Sequence, residues 1–223
     1  MPAPDWNAIG AMGQWASAFT TVAAIAAGAL ISRWIVLRTR PRLEHEELRF
    51  ESIRRPDGTE EMWVHLPLLV RSKLEPARDV EPHLIYAYDF TTHRRLEFGE
   101  LNLKWNRRDD LKLDLPPAFR RQVDIACRVA KPSEQAFIFL PLIREHIADW
   151  PATRRHLQER YRLGAGRYRL TIAVTARNAD PVYYEITLDF DGRTLRCDLR
   201  NIRRADAEAH GQVQGAHLSA DDY

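Results

Sequence analysis

The chain has 223 residues, and its 33 basic side chains nearly balance 31 acidic ones, leaving a formal charge of +2. That length supports one sizeable core with an appendage and falls short of two full domains. The balance of charge excludes a global field that would gather nucleic acid or an acidic substrate.

From Ala8 to Ile31 no residue is charged. At about 1.5 Å per residue a helix over this stretch crosses the roughly 30 Å hydrocarbon core with some tilt. Residues 1–41 are therefore expected to form a transmembrane anchor with its juxtamembrane extension. Trp6 and Trp15 lie towards one end and Trp34 near the other, where amphipathic rings favour the headgroup zone. Asp5 precedes the segment without arginine or lysine, whereas Arg33, Arg38, Arg40 and Arg42 follow it closely. Positive charge on that side predicts an inner-membrane protein with its N-terminus outside and its C-terminal domain cytosolic. Each of these arginines adds on the order of 1 kcal/mol of attraction to an anionic leaflet. A cleavable signal peptide would need a basic region ahead of the apolar stretch, and none is there. Gly13, Ser17, Ala24 and Gly28, with Thr20 or Thr21 between, recur at spacings of three or four. Such small-residue seams let helices pack closely, so a homo-oligomer through the anchor is expected.

Pro41 should end the helix, and beyond it the main signal is alternation with period two. Tyr168, Leu170, Ile172, Val174 and Ala176 define one face of a half-buried strand. Val182 to Phe190 repeats the pattern, as does Leu195 to Leu199. Asn178 to Pro181 and Asp191-Gly192 supply the turns of a C-terminal meander. Upstream strands are predicted around Leu48 and Phe50, at Met62 to Val70, Val80 to Tyr88, Leu101 to Trp105, Leu111 to Leu115, Val123 to Val129 and Phe137 to Leu140, with a turn at Pro56-Asp57-Gly58. Nine or so short strands without alternating helices point to an antiparallel β-sandwich over residues 42–203. One soluble helix is expected from about Ala152 to Arg162, with Pro151 in its first turn and Gly164 as its stop. Residues 204–223 are rich in small and polar types and are expected to be a disordered tail.

The order of anchor, Arg-Pro-Arg-Leu junction and strands containing LVRSKLEPARDVEPHL and LGAGRYRLTIAVTARNADP resembles uncharacterised bacterial single-pass membrane proteins with immunoglobulin-like β-sandwich domains. Within such domains a strand ending in a polar turn before the next strand is similar to Arg71 through Val80, and a Gly-x-Tyr-x-Leu strand opening matches Gly166, Tyr168 and Leu170. The resemblance covers most of the chain and implies a fold, with no catalytic residues.

Residues for chemistry are sparse. The eight histidines are scattered, without a metal-ligand spacing. Glu44-His45-Glu46-Glu47 reads as counter-charge to Arg40 and Arg42. Cys127 and Cys197 sit among alternating apolar residues as core hydrophobes. No phosphate loop, nucleophile elbow or zinc-protease motif occurs, so no catalysis, cofactor or metal is expected. Arg167, Arg169, Arg196 and Arg200, joined by Arg154, Arg155, Arg160 and Arg162, form a candidate nucleic-acid face. Outward Glu185 and Asp189 should dissipate its field, so nucleic acid is not an expected partner. The sequence thus leads to a membrane-anchored cytosolic sandwich that binds or senses an unidentified protein partner. The alternative is a membrane-perturbing effector of a bacterial defence system, assembled through the anchor's seam.

Overall fold

Pro41 is where helix gives way to strand. In the computed structural model, which describes residues 6–72, 75–98, 101–106, 110–143 and 150–212, the chain separates into one unit up to Arg40 and another from Pro41 onward. The first unit is a single helix, α1 (Trp6–Thr39). It stops two residues short of Pro41, whose ring bars a helix interior and biases the preceding residue towards extended backbone. Every described side chain of α1 from Trp15 to Ile35 is exposed.

The second unit is mainly β. Its strands in chain order are β1 (Arg42–His45), β2 (Arg49–Arg54), β3 (Glu60–Arg71), β4 (Ala77–Asp89), β5 (Arg94–Arg95), β6 (Leu101–Leu103), β7 (Leu113–Leu115), β8 (Arg120–Ala130), β9 (Phe137–Phe139) and β10 (Leu142–Ile143). After the helix α2 (Trp150–Arg160) come β11 (Arg162–Leu163), β12 (Gly166–Ala176), β13 (Ala179–Phe190) and β14 (Leu195–Ile202), and then the helix α3 (Arg204–Gln212). These strands form two antiparallel sheets. The first runs β1-β3-β8-β9-β11, with β2 following β1 along the same edge of β3. The second runs β10-β6-β4-β12-β13-β14, with β5 and β7 also pairing with β4.

The predicted alternation builds the shared core. Leu170 lies opposite Ile186, Ile172 opposite Tyr184, and Leu188 opposite Cys197. This layer packs in one cluster with Val64, Leu66, Leu68 and Val70 of β3, and the His45 and Tyr184 rings meet edge to face at 5.0 Å. The hairpin turns form where expected. Gly58 and Gly192 adopt φ of 80° and 91°, values that glycine reaches without steric cost. Asp57 and Asp191 brace them by accepting the backbone N–H of Thr59 and of Arg193 and Thr194.

Several expectations are corrected in detail. The single strand predicted from Leu101 to Trp105 changes sheets: β6 pairs with β4, whereas Trp105 bridges to Val123 in the other sheet. Helix α2 ends at Arg160 rather than Arg162, because Arg162 and Leu163 pair with Phe139 and Ile138. The turn before β13 is only Arg177-Asn178, and Asp180 and Pro181 lie inside that strand at a register shift, where a missing N–H is tolerated. The tail expected to be disordered begins instead with α3. Asp206 accepts the N–H of Arg203 one turn back, Arg204 pairs with Glu208, and Ala207 is buried. A capping bond, an i,i+4 pair and good helix formers account for it. Residues 213–223 of that predicted tail lie outside the described residues.

The Gly-x-Tyr-x-Leu opening of β12 has a local cause. Tyr168 folds back so that its hydroxyl donates to the Gly164 carbonyl at 3.1 Å. A Cβ at Gly166 would stand 2.9 Å from both that hydroxyl and Thr91 Oγ1, whereas one at Gly164 would meet nothing within 4 Å. Gly166→Ala is therefore expected to cost about 1–3 kcal/mol through overpacking and Gly164→Ala about 0.5 kcal/mol or less, as read by chemical unfolding.

Candidate functional site

Within α1, Ser17–Ile35 is long and apolar enough to cross a membrane. Trp15 and Trp34 are 69% and 55% exposed, and the helical rise sets them about 28 Å apart, close to a hydrocarbon thickness. Trp6 opens the helix and Arg33 is exposed on it; the side chains of Trp6 and Arg38 lie outside the described residues. Arg40 follows the helix, and Arg42 opens β1 opposite Arg71. At about 100° per residue, positions 13, 17, 24 and 28 project within an arc of about 60°. The Gly13 position is helical, Ser17, Ala24 and Gly28 are exposed, and a Cβ at Gly28 would meet nothing within 4 Å.

The β unit contains a polar constellation that spacing alone did not reveal. On the face of β3 turned away from the second sheet, Glu61, Trp63 and His65 stand at alternate positions, all buried. Isolated charge there would be costly, so each group has partners. The Glu61 carboxylate accepts from Arg55 Nε and Nη2 at 3.0 and 3.2 Å, from Trp63 Nε1 at 3.2 Å, and from Arg154 Nη2 of α2. Burial, and then the charge of Arg55, lower the Arg154 guanidinium to about 10, which leaves it cationic at neutral pH. Beside them, His65 Nδ1 lies 2.8 Å from Asp124 Oδ1 on β8, and His65 Nε2 lies 3.5 Å from Glu51 Oε2. Burial pushes the Asp124 carboxyl up, against the pull of His65 and of the buried Lys104. Burial likewise raises the Cys127 thiol well above its ordinary range, which makes it a poor nucleophile.

A histidine gripped by a carboxylate resembles half of a catalytic triad, but its second nitrogen faces Glu51 rather than a hydroxyl or thiol. The arrangement joins β3 to β8. Surface depressions among the described residues include about 460 Å³ over Glu61 and Arg154, about 360 Å³ beside Glu51 and Arg120 and, on the second sheet, about 500 Å³ between Tyr86, Arg95 and Phe98. Among the described residues no group of three metal-ligating side chains comes together.

The candidate arginine face is only partly assembled. Arg167, Asp189 and Arg196 line up across β12, β13 and β14, Glu185 stands opposite Arg200, and Arg169 pairs with Glu185 at 3.4 Å. Arg154 leaves this group because it is committed to Glu61. Arg162 instead places its guanidinium 4.1 Å from the Phe137 ring centre.

No protein-family model, curated protein or solved structure matches the chain.

The Glu61 cluster should behave as a buried network. Arg154→Met is expected to destabilise the domain by about 3 kcal/mol, because a buried carboxylate loses a cation, and Glu61→Gln in that background should recover much of the loss in a double-mutant unfolding cycle. Asp124 and Asp89 should act oppositely with pH. With its folded pKa raised, Asp124 contributes stability that is full below its ordinary value of 3.8 and lost as pH rises through the folded value. Asp89 works the other way: burial opposes ionisation, but hydrogen bonds from Thr92 and Thr91 win and hold its pKa low. Its contribution is present above 3.8 and lost as pH falls through the folded value. Asp124→Asn should remove the first slope, and Asp89→Asn the second, from denaturation midpoints followed across acidic to neutral pH.

Proposed function

We propose that this chain is a single-pass inner-membrane protein whose immunoglobulin-like β-sandwich stands on the cytosolic side and binds or senses a protein partner. The observation that carries this reading is α1, an apolar helix exposed around its circumference over a membrane-spanning length. In water, that surface would be a large unpartnered apolar patch; in lipid it is solvated. The one-sided arginines Arg33, Arg38, Arg40 and Arg42 favour retention of their side in the cytosol. Self-association along Gly13, Ser17, Ala24 and Gly28 belongs to the same reading.

Strand order supports the immunoglobulin-like assignment. On this reading, β1 with β2, then β3 and β8, correspond to A, B and E of one sheet, and β6, β4, β12 and β13 to C′, C, F and G of the other. Tyr168 near the start of β12, bonded four residues upstream to Gly164, has the form of the tyrosine corner of such domains. The departure is at the D position, where β9 follows the E-like strand in sequence instead of preceding it. A sandwich of this kind offers loops and strand edges to a protein, and tethering raises its local concentration at the membrane. The mixed charge of the outer sheet face favours a protein over nucleic acid.

Expressed in bacteria, the full chain should sediment with membranes, resist alkaline carbonate and be released by detergent. A C-terminal fluorescent reporter should be bright, and a C-terminal alkaline phosphatase inactive. A detergent-independent soluble product, or an active phosphatase fusion, would overturn the proposal.

A further inference from the structure

We propose that β14 is a self-association edge, at which two copies of this chain pair antiparallel about Leu199. Sheet edges are hazards that proteins interrupt with bulges, short strands or prolines, and the other edges here are interrupted. The β3 edge is split between β1 and β2 by Glu46–Leu48, β10 and β11 are two residues each, and the free side of β4 is shared by β5, β6 and β7. In contrast, β14 runs for 8 residues in continuous register with β13, without a bulge or proline.

Its backbone is presented outward. Asp191 N–H donates to the Thr194 carbonyl at 3.3 Å, and alternation along an antiparallel ladder from that pair turns the N–H and C=O of Cys197, Leu199 and Asn201 away from β13. Among the described residues no backbone hydrogen bond meets them on that side. The side chains add selectivity. Arg196, Asp198 and Arg200 alternate on the exposed face, and Leu195, Cys197 and Leu199 continue the core face.

Those charges are self-complementary in one long register. Two strands paired about Leu199 set Asp198 of each copy opposite Arg200 of the other, Cys197 opposite Asn201, and the two Leu199 side chains together, with 7 of the 8 residues of each strand engaged. Pairing about Asp198 would instead place aspartate against aspartate and arginine against arginine, which is repulsive. Pairing about Cys197 would leave Arg200 to Ile202 without strand partners. In the single copy Arg200 Nε reaches only its own Asp198 at 3.3 Å, with both side chains mostly exposed. Such a bond contributes little and exchanges readily for the pair across the two-fold axis.

The test uses the full chain reconstituted in liposomes. In this register residues directly opposite have Cα atoms about 5.5 Å apart, within disulfide reach, so Asn201→Cys should crosslink to native Cys197 of the second copy under mild oxidation. Adding Cys197→Ser should abolish the band. Within the Asn201→Cys background, Asp198→Arg and Arg200→Asp should each lower the yield about tenfold by opposing like charges. Mixing those two variants should restore it, because each then supplies the other's counter-charge. Crosslinking no stronger than in the native chain, or yields indifferent to the reversals, would overturn the proposal. Co-flotation of the same samples tests the anchor separately: a chain that fails to float but still crosslinks sinks the membrane reading and upholds the edge.

Discussion

Burying both faces of β3 obliges the domain to neutralise polar groups in its interior, and much of the architecture follows from how it does so. One face of β3 meets the second sheet through Val64, Leu66 and Leu68; the other buries Glu61, Trp63 and His65. A buried carboxylate without cations would be strongly destabilising, and Glu61 receives two arginines and an indole. One of those arginines belongs to α2, which also buries Leu157. The tie therefore works in both directions: α2 covers the charge, and the charge fixes where α2 lies. His65 and Asp124 act similarly at the point where β3 and β8 change register. Val64 lies opposite Ala126 and His65 opposite Asp124, so Ile125 has no ladder partner. The side-chain bond holds the two strands together where the backbone ladder is broken.

Sequence periodicity made half of this legible. The C-terminal meander, the turns at Gly58 and Gly192 and the apolar face of β3 follow from alternation and turn chemistry, because each depends on residues close in sequence. The second buried face of β3 does not alternate visibly, since Glu61 and His65 look like solvent positions until Arg154 and Asp124 arrive from 93 and 59 residues away. A signal was present: Asp124 interrupts the otherwise apolar run from Val123 to Cys127, and charge inside such a run marks a partner in the interior. The two-residue strands were illegible for another reason. β5, β10 and β11 are too short to show a period, and they exist because neighbouring edges align them. Helix α3 is illegible to composition, which weighs residues without their order, and order places Asp206 three residues after Arg203.

Several arginines on this surface are paired with carboxylates. Arg49 and Arg120 share Glu46, Arg71 meets Glu44, Arg169 meets Glu185, and Arg204 meets Glu208. Exposed pairs of this kind contribute little stability, and their chief effect is to flatten the long-range field. A surface so neutralised steers an incoming partner weakly. Recognition then has to come from contacts that act at short range, namely backbone pairing at an edge, shape at the loops, or the registry of alternating charges along a strand. The geometry concentrates those features on few elements. Most edges are fragmented, and the face of β4 and β12 is occupied by its own rings and guanidiniums, with Arg169 lying over Phe90 and Arg95 over Tyr86. Among the described residues, β14 is where strand-pairing capacity is left over, and the proposed pairing of two copies draws on that capacity rather than on net charge.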